Sequence, residues 1–422
     1  MKNLMYLLAG VAATLSCTAQ PSKKTDLPEP YATKSVRGFS KVLGWGSKKP
    51  VAPAGFKVEK FADGLKSPRW IYVAPNGDIL VAQANTETKG VKKVAAAAVM
   101  GKDDAHVGAS VNTIMLFRDA DKDGKPELRE TFLSDLNQPF GMLIIGNYFY
   151  VANTDAVVRY PYKAGQTKIT GEGTKILSLP EGGRHWTRNI VTNADKSKIY
   201  VAVGSASNVA EDGMDKEERR ACIIEINPDG SGERLYASGL RNPVGMDWAP
   251  GTKTLWTAVN ERDELGDNLV PDYLTSVTAG GFYGWPYSYF GQHLDPRIKE
   301  KDQKPELVKK AIVPEVDLGS HTASLGLAFY THKNFPQKYH NGAFIGQHGS
   351  WNRSELSGYK VVFVPFSNGK PSGAPQDFLT GFISSMEDKE VYGRPVGVTV
   401  LPDGSLLVAD DSSSTLWRIS VQ

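Results

Sequence analysis

An all-β, six-bladed β-propeller preceded by an N-terminal signal and tether is the fold this sequence predicts. Three observations carry the prediction. A strand–turn–strand phrase recurs six times, each copy has hairpin turn chemistry between its two strands, and no amphipathic helical stretch of comparable length separates the copies. With 422 residues, 41% of them hydrophobic and 23% charged, the chain can bury a large core, and radial repetition builds one unit of that length. A β-sandwich or a row of small β domains is the competing architecture.

Along the chain, MKNLMYLLAGVAATLSC comes first: one lysine, an apolar run from Leu4 to Leu15, then small residues. This is the layout of a secretory signal and too short for a bilayer span, so residues 1–17 predict export. Cys17 sits where a lipoprotein signal carries its acylated cysteine, although Thr14 occupies a position usually held by Leu, and cleavage after Ala19 is the alternative. The expected location is therefore periplasmic, either soluble or as a membrane-anchored lipoprotein. Residues 18–50, rich in Lys, Pro, Ser and Gly without apolar period, read as a tether of low order. The catalytic domain is expected over 51–422.

The six phrases follow: SPRWIYVAPNGDILVAQ from Ser67, NQPFGMLIIGNYFYVAN from Asn137, RNIVTNADKSKIYVAVG from Arg188, RNPVGMDWAPGTKTLWTAV from Arg241, SLGLAFY with GAFIGQHG from Ser324, and GRPVGVTVLPDGSLLVADD from Gly393. Turns such as Asn76-Gly77 and Asp403-Gly404 join two apolar, β-branched or aromatic runs in the manner of antiparallel hairpins. Residues 89–110 lack strand alternation and read as a helical or mobile insertion, a lid or partner surface. In DADKDGKPELRE, Asp119, Asp121, Asp123 and Glu130 take positions one, three, five and twelve of a calcium loop, but Pro126 and the strand-like flanks point to a hairpin turn. That turn either holds structural calcium or is simply a solvated acidic turn. Cys222, inside ACIIEI, is the one cysteine besides Cys17 and reads as a small buried apolar residue.

If the first strand of each phrase lines a central channel, the residues leading into it converge at one mouth. They are Arg69, Gln138, His185 with Arg188, Arg241 with Asn242, His321 and Arg394. Loops after the second strands bring Asn153, Ser205, Asn208, Asn260, Glu261, Arg262, His348, Arg353, Asp410 and Asp411 to the same end. Several guanidiniums on a concave centre repel one another unless an anion or buried carboxylates offset them, which points to a bound polyanion. A net charge of +3 with scattered Lys and Arg supplies no phosphate-tracking stripe, so nucleic acid is not an expected partner.

On the phrases HWTRNI, GLRNPVGM, NERDELGDNLVPDY with GGFYGWP, GQHGSWNR and GRPVGV, the chain from about Ala52 to Ser420 resembles the soluble quinoprotein sugar dehydrogenases. The nearest branch is the sorbosone dehydrogenase-like one of the glucose/sorbosone dehydrogenase family. The resemblance implies a central cleft holding pyrroloquinoline quinone (PQQ), a planar tricarboxylate, over a calcium ion. It implies oxidation of an aldose or sugar aldehyde, with electrons passed to a periplasmic acceptor such as a cytochrome or quinone.

By the same resemblance, Arg241 and Arg394 bind the quinone, Asn242 and Gln138 hydrogen-bond it, and Arg353 is the basic residue against it. Guanidinium forks suit such carboxylates. His185 is the expected general base, since neutral imidazole accepts a hydroxyl proton near neutral pH, and Arg241 stands with it as a catalytic residue. His321 and His348 are the alternatives, Arg188 is a brace for the His185 loop, and the bland reading of His185 is a packed histidine beside Trp186.

Two departures from the family pattern stand out. Calcium is commonly held by main-chain carbonyls of a Gly-Pro pair, for which this chain has Glu261 and Arg262. Ser205 replaces an aspartate that orients the histidine. Two further readings compete: a calcium-dependent lactonase or hydrolase drawing on Asn153, Asn208 and Asp410, and a non-catalytic glycan-binding propeller.

Overall fold

The computed structural model describes residues 26–87 and 108–422. The expected signal, Cys17 and most of 89–110 lie outside those residues. Among the described residues no helix is long and apolar enough to cross a membrane.

The chain is nearly all β. Among the described residues, six sheets each contain a four-stranded antiparallel meander. Sheet one runs through Pro68–Val73, Ile79–Gln83, Thr113–Arg118 and Leu128–Leu133. Sheet two starts at Met142–Ile145, sheet three at Ile190–Thr192, sheet four at Pro243–Trp248, sheet five at Ala328–Phe329 and sheet six at Pro395–Val400. These six first strands touch one another in a closed cycle, from sheet one through sheet six and back. Sheet six draws its fourth strand from the other end of the chain: Phe56–Ala62 pairs antiparallel with Thr415–Val421.

The second strands show why the pattern reads as apolar runs rather than alternation. Ile79–Gln83, Ile199–Val203, Leu255–Val259, Ala343–Gln347 and Leu406–Asp410 are buried at every position. Both faces of each are covered by neighbouring sheets, so neither face needs to be polar. Correspondingly, the described core divides into six apolar clusters, one between each adjacent pair of sheets.

Near the axis the first strands approach so closely that side chains are excluded. A Cβ on Gly326 would strike the Val396 carbonyl, and one on Gly397 would strike the Arg69 carbonyl. The glycines in SLG and PVG are therefore packing requirements at the hub, not turn residues.

The low-order tether expected over 18–50 does not hold for its described part. Residues 26–50 form a strap across the rim. Tyr31 N–H donates to Leu265 O (2.8 Å), Gly38 N–H to Trp351 O (2.8 Å), and Lys41–Val42 pairs in parallel with Glu390–Val391. Trp45 is buried and its indole donates to Asp410 Oδ2 (2.7 Å). Composition predicted disorder because the strap has little apolar area; backbone hydrogen bonds and one buried indole anchor it instead.

Candidate active site

Five of the six sheets send groups to one cleft of about 280 Å³. It is lined by Arg69, His185, Arg241, Asn242, His348 and Arg394 among others. That is near the lower end of the roughly 300–1,000 Å³ common for small-molecule sites. Four of the lining residues are arginines, the fourth being Arg184, and Asp263 is the one carboxylate among them.

His185 is placed with its tautomer fixed. Its Nδ1 lies 2.9 Å from Ser205 O and 3.0 Å from Ser205 Oγ. A carbonyl can only accept, so Nδ1 carries the proton and donates, leaving Nε2 with a lone pair. Ser205 Oγ in turn donates to Ser207 O (2.7 Å), and Ser207 is held by Glu217 (Oγ to Oε1, 2.5 Å). The missing aspartate is thus replaced as orienting group by a main-chain carbonyl. Burial, then the positive charge of Arg241, hold the imidazole pKa well below its usual 6.5, while the Ser205 carbonyl only partly offsets them. Gly204 makes room for the arrangement, since a Cβ there would collide with Asn242 Oδ1 and with His185 Cβ.

The alternative bases are otherwise engaged. His321 has Nδ1 3.2 Å from Asp263 Oδ1 and Nε2 2.9 Å from Gly266 O; burial opposes its charge, but the Asp263 hydrogen bond and charge prevail and raise its pKa. His348 lines the cleft with Nε2 2.9 Å from Asp411 Oδ1.

Arg241 is held by Glu261 O (2.5 Å), Asn260 O (3.2 Å) and Asn208 Oδ1 (2.9 Å), with Asp263 Oδ2 at 3.4 Å. Burial lowers its pKa, and Asp263 and Glu261 pull it partly back. Arg394 donates to His348 O (3.0 Å) and Gly349 O (2.9 Å), lies over the Tyr359 ring, and gives its main-chain N–H to Asp410 Oδ1 (2.8 Å). Arg69 pairs with Asp411 and lies over the Trp186 ring, 5.3 Å from its centroid.

Two polar atoms of lining residues, Arg69 Nε and Asn242 Oδ1, are buried without a hydrogen-bond partner. Buried polar groups left unmade are costly, and together with the guanidinium lining they fit a flat ligand bearing carboxylates and ring heteroatoms.

Other predicted site residues lie elsewhere. Gln138 is buried, but its amide donates to Asn85 O (2.8 Å), behind the lining. Arg353 reaches Asp267 O (2.8 Å) beneath the strap. Arg188 braces the His185 loop as expected, donating to His185 O and Pro180 O. For a lactonase cage, Asn208 Oδ1 already serves Arg241, and Asp410 Oδ2 serves Trp45.

The Arg262 side chain is sealed inside, on Glu261 Oε2 (2.9 Å), Asp295 Oδ2 (3.0 Å) and two carbonyls. The Glu261 carbonyl expected to bind calcium accepts from the Arg241 guanidinium (2.5 Å), so an ion on that oxygen would lie beside a positive charge. Calcium expected on the main-chain carbonyls of Glu261 and Arg262 would be opposed by that charge at the first of them.

In the acidic turn, ligand atoms of Asp119, Asp121, Asp123 and Glu127 lie within 4.8 Å of one another. Glu127 takes the place given to Glu130, which sits in strand Leu128–Leu133 opposite Leu116.

The cleft also contains residues that sequence reasoning passed over. Thr187 lies within HWTRNI, Arg184 immediately precedes it, and Trp351 lies within GSWNR, so proximity to a motif was the available signal. Phe39, on the strap, had none.

The model of the TrAA12-like family matches residues 50–273 and 290–422. A protein of unassigned function from Borreliella burgdorferi is 28% identical, over 87% of this chain and 89% of its own. The aldose sugar dehydrogenase YliI of Escherichia coli is 26% identical over 60% of this chain; the match spans 65% of that relative, just under two thirds of its length. Among solved structures, the holo PQQ domain of pyranose dehydrogenase from Coprinopsis cinerea superposes with a TM-score of 0.69 at 20% identity, covering 88% of this chain and 97% of that one.

Proposed function

Because the chain belongs to the TrAA12-like family, we propose that it is a quinoprotein sugar dehydrogenase. In this reading it is a six-bladed propeller that binds PQQ in the axial cleft and oxidises an aldose or a sorbosone-like sugar aldehyde. The observation that carries the reading is His185: a neutral imidazole with a bare Nε2, in a cleft lined by four guanidiniums.

Arg241, Arg394 and Arg69 would grip the carboxylates of the quinone, and Asn242 Oδ1 would meet a ring N–H. When bound, the quinone supplies the acceptor for the hydride that leaves the sugar carbon. His185 takes the proton of the hydroxyl on that carbon at Nε2, or of a hydrate hydroxyl when the substrate is an aldehyde. Arg241 serves both sides of this transfer. With burial as the larger cause, its charge helps hold the imidazole pKa down, and it stabilises negative charge that develops on the substrate oxygen.

Calcium assistance belongs to the same reading, with the Arg241 charge at Glu261 O opposing an ion on that carbonyl. The acidic turn at Asp119 is a separate candidate for structural calcium. Export to the periplasm, with or without a lipid on Cys17, and electron delivery to a cytochrome or quinone complete the proposal.

Reconstitution tests it. Purified full-length protein freed of metal is titrated with PQQ, with and without calcium, and then assayed for aldose-dependent dye reduction. Saturable quinone uptake and sugar-dependent reduction are expected; failure to bind the quinone under either condition would sink the reading.

A further inference from the structure

The strap that sequence composition made a tether carries a residue into the cleft. It crosses the rim from the outlet loop of sheet four to that of sheet six. Thr33 Oγ1 accepts from Asp267 N–H (2.8 Å), Ser35 Oγ from Gly266 N–H (3.0 Å), and Ser40 Oγ lies 3.1 Å from Tyr359 Oη. Between these anchors Phe39 lines the cleft together with Trp351. Their rings are stacked, with centroids 6.0 Å apart and planes inclined by 9°.

Trp45 and Phe39 on the strap behave differently. Trp45 is 6% exposed and bonded to Asp410, as an anchor should be. Phe39 and Trp351 are each only half-buried, so this aromatic pair leaves apolar surface exposed in the same cleft as His185 and the polar groups of Arg184 and Asn260. Wet aromatic surface gains by being covered with an apolar face. A cyclic sugar offers what this combination matches: a C–H face for the aromatic pair and a hydroxyl rim for the polar groups.

We propose that Phe39 is a substrate-binding residue, and that the strap is part of the substrate site. A sugar ring packs its C–H face on the Phe39–Trp351 wall and thereby presents a ring-carbon hydroxyl toward His185 Nε2. The proposal rests on the dehydrogenase reading and adds the substrate-binding element to it.

The test uses full-length, PQQ-loaded protein and its Phe39→Ala, Phe39→Leu and Phe39→Tyr variants, each checked by thermal unfolding. Quinone affinity is measured by absorbance titration, and KM and kcat on the best substrate of a panel of glucose, galactose, xylose and arabinose. Binding of the same sugar to the quinone-free protein, where no turnover occurs, is read from tryptophan fluorescence, to which Trp351 in the cleft contributes as one of eight tryptophans.

An aromatic contact of this kind is worth up to roughly a factor of ten in affinity. Phe39→Ala and Phe39→Leu should therefore raise KM and the fluorescence-derived dissociation constant by about that factor, with a smaller effect on kcat, and Phe39→Tyr should restore both. Unchanged sugar binding in Phe39→Ala, or lost quinone affinity with unchanged KM, overturns the wall as a sugar platform while leaving the dehydrogenase reading intact. A wild-type chain that takes up no quinone overturns both.

Discussion

Two regions of the molecule bury arginines one hairpin apart, and they handle the charge in opposite ways. Arg262 is sealed between the carboxylates of Glu261 and Asp295; burial disfavours its charge, but those two partners prevail and its pKa rises. Arg241 is equally enclosed, yet burial outweighs Asp263 and Glu261 and its pKa falls. It also shares its cleft with three further guanidiniums. The first arrangement is a fastener whose charge is matched within the protein. The second leaves positive potential at an opening, where an anionic ligand can lower its energy.

The comparison can be broken most severely at Arg262. Arg262→Ala strands two buried carboxylates, and chemical denaturation should register a loss of about 3–5 kcal/mol. Any variant that stays folded should keep its quinone affinity, and a stable Arg262→Ala protein would erase the distinction.

Next in size is His185→Ala, expected to cut kcat on the order of a hundredfold or more while quinone titration is unchanged. Arg394→Ala should do the reverse, weakening quinone binding by roughly ten- to a hundredfold through lost charge-assisted hydrogen bonds. Equal quinone affinity in Arg394→Ala and wild type would move the anion site elsewhere.

A pH profile sharpens the picture without mutation. The base works only when neutral, and burial with Arg241 nearby depresses the His185 pKa well below 6.5. kcat/KM should therefore stay level as pH falls through 6.5 and decline only at lower pH; a midpoint at or above 6.5 would contradict the assigned environment. The smallest effect is Ser205→Ala. Because the main-chain carbonyl retains Nδ1, turnover should fall only about two- to tenfold.

Much of this was readable from the chain, for a physical reason. Each hairpin phrase carries its own turn chemistry and apolar runs, so the strands were legible locally, and the residues leading into first strands share one geometric offset. That offset correctly gathered Arg69, His185, Arg241, Asn242 and Arg394. It failed for Gln138 and His321, whose side chains turn to the carbonyls of Asn85 and Gly266, because loop conformation rather than strand register decides where they point. Glu130 was misassigned because a helical calcium-loop template was laid on a turn that enters a strand. The strap was invisible because its contacts are backbone hydrogen bonds to residues more than two hundred positions away, and composition carries no trace of such partners.

One feature of the architecture bears on how the molecule comes into being. Sheet six joins Phe56–Ala62 to Thr415–Val421, so the first described strand of the repeat waits for the last. Until residues 415–421 have been made, Phe56–Ala62 lacks this partner and leaves an unpaired edge. Assembly is thereby set by a contact spanning nearly the whole sequence, which favours slow folding and leaves time for a chaperone to hold the chain before it shuts.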